Sequence, residues 1–464
     1  MTATVAERLV DGVYDVELES LPADVVAGVK RALIDTVACA VGGVGSPAAD
    51  AAVAAAEELG GHPTCTVIGS PLRTSPVQAA LANGAMLRYL DYMDTVLFES
   101  DEGAVSATHP SELVPAILAA AEAGRCSGRE LITAIAVAYE LTAVLCERLV
   151  PAPLRDLGWH HSALAPYVLP AVAGRLWGAT RDQAVQATGL AGLHNVVLNH
   201  VDADGEEVGA SRNLAYPLVA ASCLQDVALA RAGAGGATRV AEGLQGFAEV
   251  VGAGRWTLDG IAPRPGCEGI RHVWMKPAVA CVLGQAAATA VLELADERSL
   301  APADVEAIEL RVHPAALAHM GAEDRRFPTE KETADHSLYF LAAVAVRDGV
   351  VGPSQFSADS LGDEVVQGLA ARVRLGTLDN GAAGGTAAAA AAITTRDGAV
   401  HEHRVDRPPG HPERPFSDSD IERKLRVCAE GRLGDRELDH FLDLVARLEA
   451  VDDAGDLMRP LAGA

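Results

Sequence analysis

Asp91 and Asp94 stand three positions apart at the end of a helical stretch opened by Ser75-Pro76, a spacing that puts both carboxylates on one helix face. Two acids at a helix C-terminus oppose the negative end of the peptide dipole, a placement that a purely structural sequence tends to avoid. Thr95 follows directly. Thr108-His109-Pro110-Ser111 runs into the apolar helix LVPAILAAA, and a histidine at a helix N-terminus is favoured in its neutral, proton-accepting form. Gly158-Trp159-His160-His161 offers a second pair of imidazoles ahead of another helix, and Asp335-His336-Ser337 precedes LYFLAAVAV. Arg212 and Lys276 are cations in acid-rich surroundings. These are side chains of acid–base catalysis and anion binding. Each also has a plain structural reading, as solvated aspartates or loop histidines.

Other patterns fade on inspection. Gly233, Gly235 and Gly236 do not spell GxGxxG and follow a helix, so they read as an interhelical loop. The chain has no GKS or GKT phosphate loop, no HExxH and no GxSxG elbow. His401 and His403 share a strand face with no third ligand in view, which makes a surface pair rather than a metal site. Eight cysteines lie far apart without a CxxC pair, the pattern of reduced core thiols.

Composition bounds the rest. The chain has 464 residues, 63 Asp+Glu against 37 Lys+Arg and a net charge of −26, which disfavours nucleic acid and anionic membranes as partners. Hydrophobic residues make up 49% and aromatics only 4%, so the core is built from Ala, Val and Leu and suits close helix packing. MTATVAERLV lacks an export signal's basic region, and no apolar run is long enough to span a bilayer. The expectation is a cytoplasmic protein.

The elements that must position these residues are mostly helices. Val25, Val29, Leu33, Val37 and Val41 recur at four-residue spacing, and Ser127…Glu130 and Thr180…Gln183 have capping-box spacing. The stretch up to Gly260 reads as helices in succession. IAPRPGCEG is then a linker, GQAAATAVLELA a helix, and VEAIELRV an alternating strand. Thr386–Thr395 reads as a strand turning at Asp397-Gly398 into AVHEHRV, and RPPGHPERP is a second linker before two C-terminal helices. The expected fold is mainly α, with a large all-helical domain formed by both chain ends (1–268 and 405–464) and an inserted smaller α+β lid domain (269–404). A cleft between two such units is a favoured ligand site.

In order, LDYMDT (90–95), His109-Pro110-Ser111, Gly158-Trp159-His160 and ETADHSL (332–338) resemble the MmgE/PrpD family, which includes 2-methylcitrate dehydratases, cis-aconitate decarboxylases and iminodisuccinate epimerases. The resemblance covers most of the chain, including LIDTVACAVGG near its start. It implies homodimers and an active site between helical domain and lid, with no metal and no organic cofactor. It further implies that His109, His160, Asp91 and Lys276 are catalytic, and that Thr95, Arg212, Asp94, His336, Tyr339 and Cys281 meet the substrate. Met93 replaces one of the family's usual acids, Arg212 stands where many members have lysine, and Cys281 stands where the decarboxylases have histidine. Phe340 occupies a tyrosine position, with Tyr339 one residue earlier.

The implied reaction removes a proton next to a carboxylate of a citrate-like polycarboxylate and eliminates water. One of His109 and His160 is the base and the other, protonated, assists hydroxide departure. Asp91 orients or charges a histidine, Thr95 bonds a substrate oxygen, and Arg212 and Lys276 hold carboxylates. Decarboxylation of a cis-aconitate-like acid and epimerisation next to a carboxylate are the alternatives, with a non-catalytic homologue behind them. Cys281 and Phe340 weigh against decarboxylation.

Overall fold

The structure is a computed structural model and describes residues 3–203, 208–378 and 384–463. Helix α1 (Ala23–Gly42) buries the whole row Val25, Val29, Leu33, Val37 and Val41. Gly43 ends it where a Cβ would fall 2.0 Å from the Met86 carbonyl oxygen, so only glycine lets α2 (Pro76–Tyr89) approach this closely. Ser75 caps α2 by accepting from the Gln78 N–H at 3.4 Å. Helices α3 (Val114–Gly124), α4 (Gly128–Arg148), α5 (Arg181–His194) and α6 (Arg212–Arg231) belong to the same N-terminal helical body. Both expected capping boxes form, at Ser127/Glu130 and Thr180/Gln183. The alanine-rich α2 packs on α6, small side chains allowing the backbones to close up.

The all-helical expectation for this region needs correction. Strands β1 (Thr95–Glu99) and β2 (Val105–Thr108) form a hairpin, and β3 (Val273–Trp274) adds antiparallel to β1. Strands this short carry little periodic signal, and β3 arrives from far along the chain. A second sheet, of order β5-β4-β6-β7, comprises β4 (Val305–Val312), β5 (Val373–Thr377), β6 (Ala389–Thr395) and β7 (Val400–Val405), with β4 and β5 parallel. The alanines of β6 have high helix propensity, yet they are strand because both neighbours pair with them and Ala389, Ala391 and Ile393 are buried. Helices α7 (Gln285–Glu297) and α8 (Leu338–Asp348) pack together, and α7 covers β6 and β7. Among the described residues no helix is long and apolar enough to cross a membrane.

After the second sheet the chain returns to the first helices. Helix α9 (Asp418–Ala429), capped by Ser417, lies along α1, and α10 (Asp435–Ala446) follows. The Val451 carbonyl accepts from Gly128 N, and the Leu461 carbonyl from Gly69 N, each at 2.8 Å. Buried between α1 and α9, Lys424 Nζ meets Asp35 Oδ1 at 2.7 Å and also donates to the carbonyls of Tyr92 and Lys276. Helix α9 thus holds the backbone at Tyr92 and Lys276. Replacing Lys424 with Met leaves Asp35 a buried uncompensated charge and is expected to cost about 3–5 kcal/mol, read from urea unfolding of the full chain. A change below about 1 kcal/mol would show that the pair contributes little.

Candidate active site

The chain leaves α2 at Leu90 and bends sharply, with Asp91 in the left-handed region at φ +47°. Asp91 and Asp94 therefore lie beyond the helix and do not share one of its faces. Asp91 is a buried hub. Its Oδ1 accepts from Lys276 Nζ at 2.7 Å and from Arg88 Nη1 at 3.0 Å, and its Oδ2 accepts from Arg212 Nη2 at 3.3 Å. Lys276 also donates to the Asp91 backbone oxygen at 2.9 Å. Burial alone would raise this carboxyl, but Lys276, Arg212 and Arg88 hold it well below the usual range, so it is a carboxylate.

Asp94 turns the other way. It accepts from Ser111 N at 3.1 Å and from the Tyr139 hydroxyl at 2.7 Å, and burial lifts it to about 6. Its backbone carbonyl lies 2.6 Å from His109 Nδ1. A carbonyl only accepts, so Nδ1 carries the proton and Nε2 is left as an acceptor. Burial, with Lys276 and Arg88 nearby, keeps this imidazole well below its ordinary value and hence neutral.

Trp159 bridges Leu198, and His160, in extended backbone, donates its N–H to the Val197 carbonyl at 2.9 Å before His161 opens a short 3-10 helix (His161–Tyr167). Trp159 and His161 face a cavity of about 270 Å³, whereas His160 points behind it. His160 Nδ1 accepts from Ser162 N at 3.3 Å, and its buried Nε2 has no hydrogen-bond partner among the described residues. His161 Nε2 meets Glu112 Oε2 at 2.7 Å, and Arg88 bridges Glu112 to Asp91. Burial and Arg88 still hold His161 down to about 3, so this imidazole too is neutral. Of the two adjacent histidines, it is the second that reaches the cavity and stands 5.3 Å, ring to ring, from His109.

The cavity is walled by Asp91, His109, His161 and Arg212 together with Cys281 and His319, and apolar residues such as Leu97, Leu154 and Leu283 close the remainder. Arg212 opens α6 and is placed by Asp91, by Asp202 at 3.4 Å and by Asp335 at 3.7 Å. Behind this wall His336 is fully buried, its Nδ1 against Asp335 Oδ1. Burial and Arg212 push His336 down, but Asp335 and Cys281 outweigh them and raise it to about 9. It is the cationic imidazole of the site.

The other expected residues lie off the wall. Lys276 is one layer back, paired with Asp91. The Thr95 hydroxyl donates to the Thr108 carbonyl at 3.0 Å, and Asp94 is spent on Ser111 and Tyr139. Tyr339 faces away, donating to the Gly321 carbonyl at 2.9 Å under the Arg326 guanidinium, and Phe340 is core beside Phe356. Arg88, Glu112, Asp202 and His319 were not singled out from sequence. Arg88 in ALANGAMLRYL and Glu112 ahead of LVPAILAAA interrupt apolar runs, and that is the signal a buried ion pair leaves.

Among the described residues, two donor sets come close enough to hold a cation: Cys281, His319 and His336, and Asp91, Asp335 and His336, each with its ligand atoms within 4.8 Å of one another. Both are already committed. Arg155 Nη2 lies 2.6 Å from His319 Nδ1 and takes that lone pair, while Arg212 and Lys276 neutralise the carboxylates. A further cation at either place would face guanidinium groups.

Family models match almost the whole chain: MmgE/PrpD N-terminal domain over residues 7–258 and MmgE/PrpD C-terminal domain over residues 279–450. The chain belongs to the MmgE/PrpD family. This MmgE/PrpD chain is 24% identical to the cis-aconitate decarboxylase of Mus musculus over 488 residues, covering 100% of this chain and 94% of that protein. It is 25% identical to the cis-aconitate decarboxylase of Aspergillus terreus, covering 96% and 93%. It is 26% identical to the 2-methylcitrate dehydratase of Cupriavidus necator over 375 residues, covering 74% and 72%. These relatives are enzymes, decarboxylases and a dehydratase.

Proposed function

We propose that this MmgE/PrpD protein is a lyase that dehydrates a small citrate-like hydroxy-polycarboxylate without a cofactor. The observation that carries this reading is His109, a neutral imidazole with its Nε2 acceptor, sharing a cavity of about 270 Å³ with the Arg212 guanidinium. A proton next to a carboxylate is weakly acidic, so its removal needs a placed base and a cation to hold the developing enediolate charge. His109 takes that proton. Arg212, which cannot release its own, binds the carboxylate through paired N–H groups. Asp91 and Lys276 act by holding Arg212 and the floor of the cavity, and residues 269–404 serve as the lid that excludes water.

The protonated partner differs from the one the family resemblance implied. His160 and His161 both lie below their ordinary range, so neither is the imidazolium that assists hydroxide departure. His336 supplies that charge. The pH dependence follows from the signs. The base works only when neutral, so activity is retained above the depressed His109 value and lost as pH falls through it, well below the ordinary 6.5. The acid works only when protonated, so activity is retained below about 9 and lost as pH rises through it. A profile of kcat/KM against pH should show both limbs, and an acid limb at the ordinary histidine value would count against His109 as the buried base.

Decarboxylation of an unsaturated tricarboxylate is the second reading, favoured by the end-to-end match to cis-aconitate decarboxylases. One experiment separates the two. The protein is incubated in D₂O with citrate, 2-alkylcitrates and cis-aconitate, and conjugated-alkene absorbance, CO₂ and deuterium uptake are followed. Alkene without CO₂ supports dehydration, CO₂ supports decarboxylation, and deuterium alone points to epimerisation. Silence across all the acids would remove the polycarboxylate reading.

A further inference from the structure

We propose that Cys281 is a catalytic proton carrier that hands protons between the buried His336–Asp335 pair and the substrate, an inference that rests on the lyase reading above. His336 needs such an intermediary. It is fully buried and does not reach the cavity wall, whereas Cys281 does. Asp335 takes the Nδ1 proton of His336, so Nε2 is the nitrogen left to exchange. Nε2 has no hydrogen-bond partner among the described residues and lies 3.8 Å from both Asp91 Oδ2 and Asp202 Oδ1, two carboxylates of the same cavity. The Cys281 sulfur and one nitrogen each of His336 and His319 lie within 4.8 Å of one another.

This order of groups is that of an activated thiol, with sulfur beside an imidazole that a carboxylate orients. Arg155 donates to His319 Nδ1, which leaves the His319 proton on Nε2 and makes that ring a donor. Arg212 and Arg155 face the cluster as cations, and Asp91, Asp202 and Asp335 as anions. Burial would push the thiol up, but the two histidines outweigh it and hold Cys281 well below its ordinary value. The other cysteines are also buried, and burial pushes Cys39, Cys65, Cys126, Cys146, Cys223, Cys267 and Cys428 up. Cys281 is set apart from them by its surroundings.

The step balances without a co-reactant. The proton on His336 Nε2 passes to the thiolate sulfur, and as the substrate C–O bond breaks the thiol so formed gives that proton to the departing oxygen, giving water. His109 keeps the proton taken from carbon. Sulfur ends as the thiolate it began as, and the two imidazoles re-equilibrate with solvent. In a decarboxylation the same proton goes to carbon.

The test needs no substrate at first. The full chain is treated with iodoacetamide between pH 6 and 9, and alkylation is mapped and timed by peptide mass spectrometry. Cys281 is expected to react first among the cysteines, with a rate that changes by less than about threefold over the range, since a thiolate is already present. An ordinary thiol would rise about tenfold per pH unit below its pKa. His336→Gln should restore that rise. An ordinary rise in the wild type, no reaction at Cys281, or a flat profile in His336→Gln overturns the proposal. With a substrate from the D₂O experiment, Cys281→Ser should lower kcat at least about tenfold with KM little changed. If the wild type turns over and Cys281→Ser matches it, the carrier role falls and the lyase reading stands. A reactive thiolate in a protein that turns over none of the acids removes the lyase reading, and the carrier role with it.

Discussion

His109→Asn lowers turnover by about 10²–10⁴-fold and leaves KM little changed, the loss expected when a placed general base is removed. Asparagine is the informative choice. Its amide N–H can still donate to the Asp94 carbonyl, as Nδ1 now does at 2.6 Å, while nothing remains at the Nε2 position. The loop therefore keeps its anchor and only the acceptor is lost. His160→Asn is the matched control. The asparagine oxygen can take over the Ser162 N–H that Nδ1 now accepts, and the ring lies behind the cavity wall, so the effect should stay within about tenfold. Steady-state turnover of both variants, with circular dichroism to confirm folding, decides the matter. Near-wild-type activity in His109→Asn would end its assignment as base, and a collapse in His160→Asn alone would return the role to the first histidine of the pair.

Asp91→Asn is expected to cost about 3–5 kcal/mol in stability and to abolish measurable turnover, because it strips the shared counter-charge from three buried cations. Lys276, Arg88 and Arg212 all converge on this one carboxylate. Asparagine tolerates the left-handed backbone at φ +47° better than other non-glycine residues, so strain is largely held constant and charge alone changes. A double-mutant cycle with Lys276→Met isolates the cause. If the cost is unpaired charge, the second substitution recovers stability, and the double variant unfolds at higher urea than Asp91→Asn alone. Additive losses would mean that Asp91 acts through packing or backbone shape instead.

Both predictions treat the site as two layers. Asp91, His109, His161 and Arg212 meet the cavity. Lys276, Asp94 and His336 are buried behind, fixing the charge and tautomer of the groups in front. A small acidic substrate does not conflict with the net charge of −26, since surface charges are screened over ~8–10 Å and the guanidinium groups are inside the cavity.

What the sequence determined by itself was local. The row of valines in α1, the Ser127 and Thr180 capping boxes and the alternation of VEAIELRV each follow from neighbours three or four positions away, or from period-two alternation, and the structure reproduces them. The stretches carrying Asp91, His109, His161 and Arg212 were legible too, from the types and setting of their residues, whereas Cys281 read as a core thiol and stood out only through the family resemblance; the fold brings all five to one cavity. Only tertiary structure could choose within those stretches. His160 and His161 are adjacent and chemically identical, and the change from extended backbone at His160 to the 3-10 helix opening at His161 separates them, the second one lining the cavity. Asp91 and Asp94 part company because the chain leaves the helix at Leu90 and bends. The strand expected over Thr386–Thr395 forms as β6, but its pairing with β4 and the addition of β3 to β1 join residues distant in sequence, Ala389 with Val312 and Val96 with Val273 among them. Protonation is decided in the same way, by long-range burial and charge: His109 and His161 are neutral and His336 charged although the three share one intrinsic acidity, because at His336 Asp335 and Cys281 together outweigh burial and Arg212, while burial prevails at the other two.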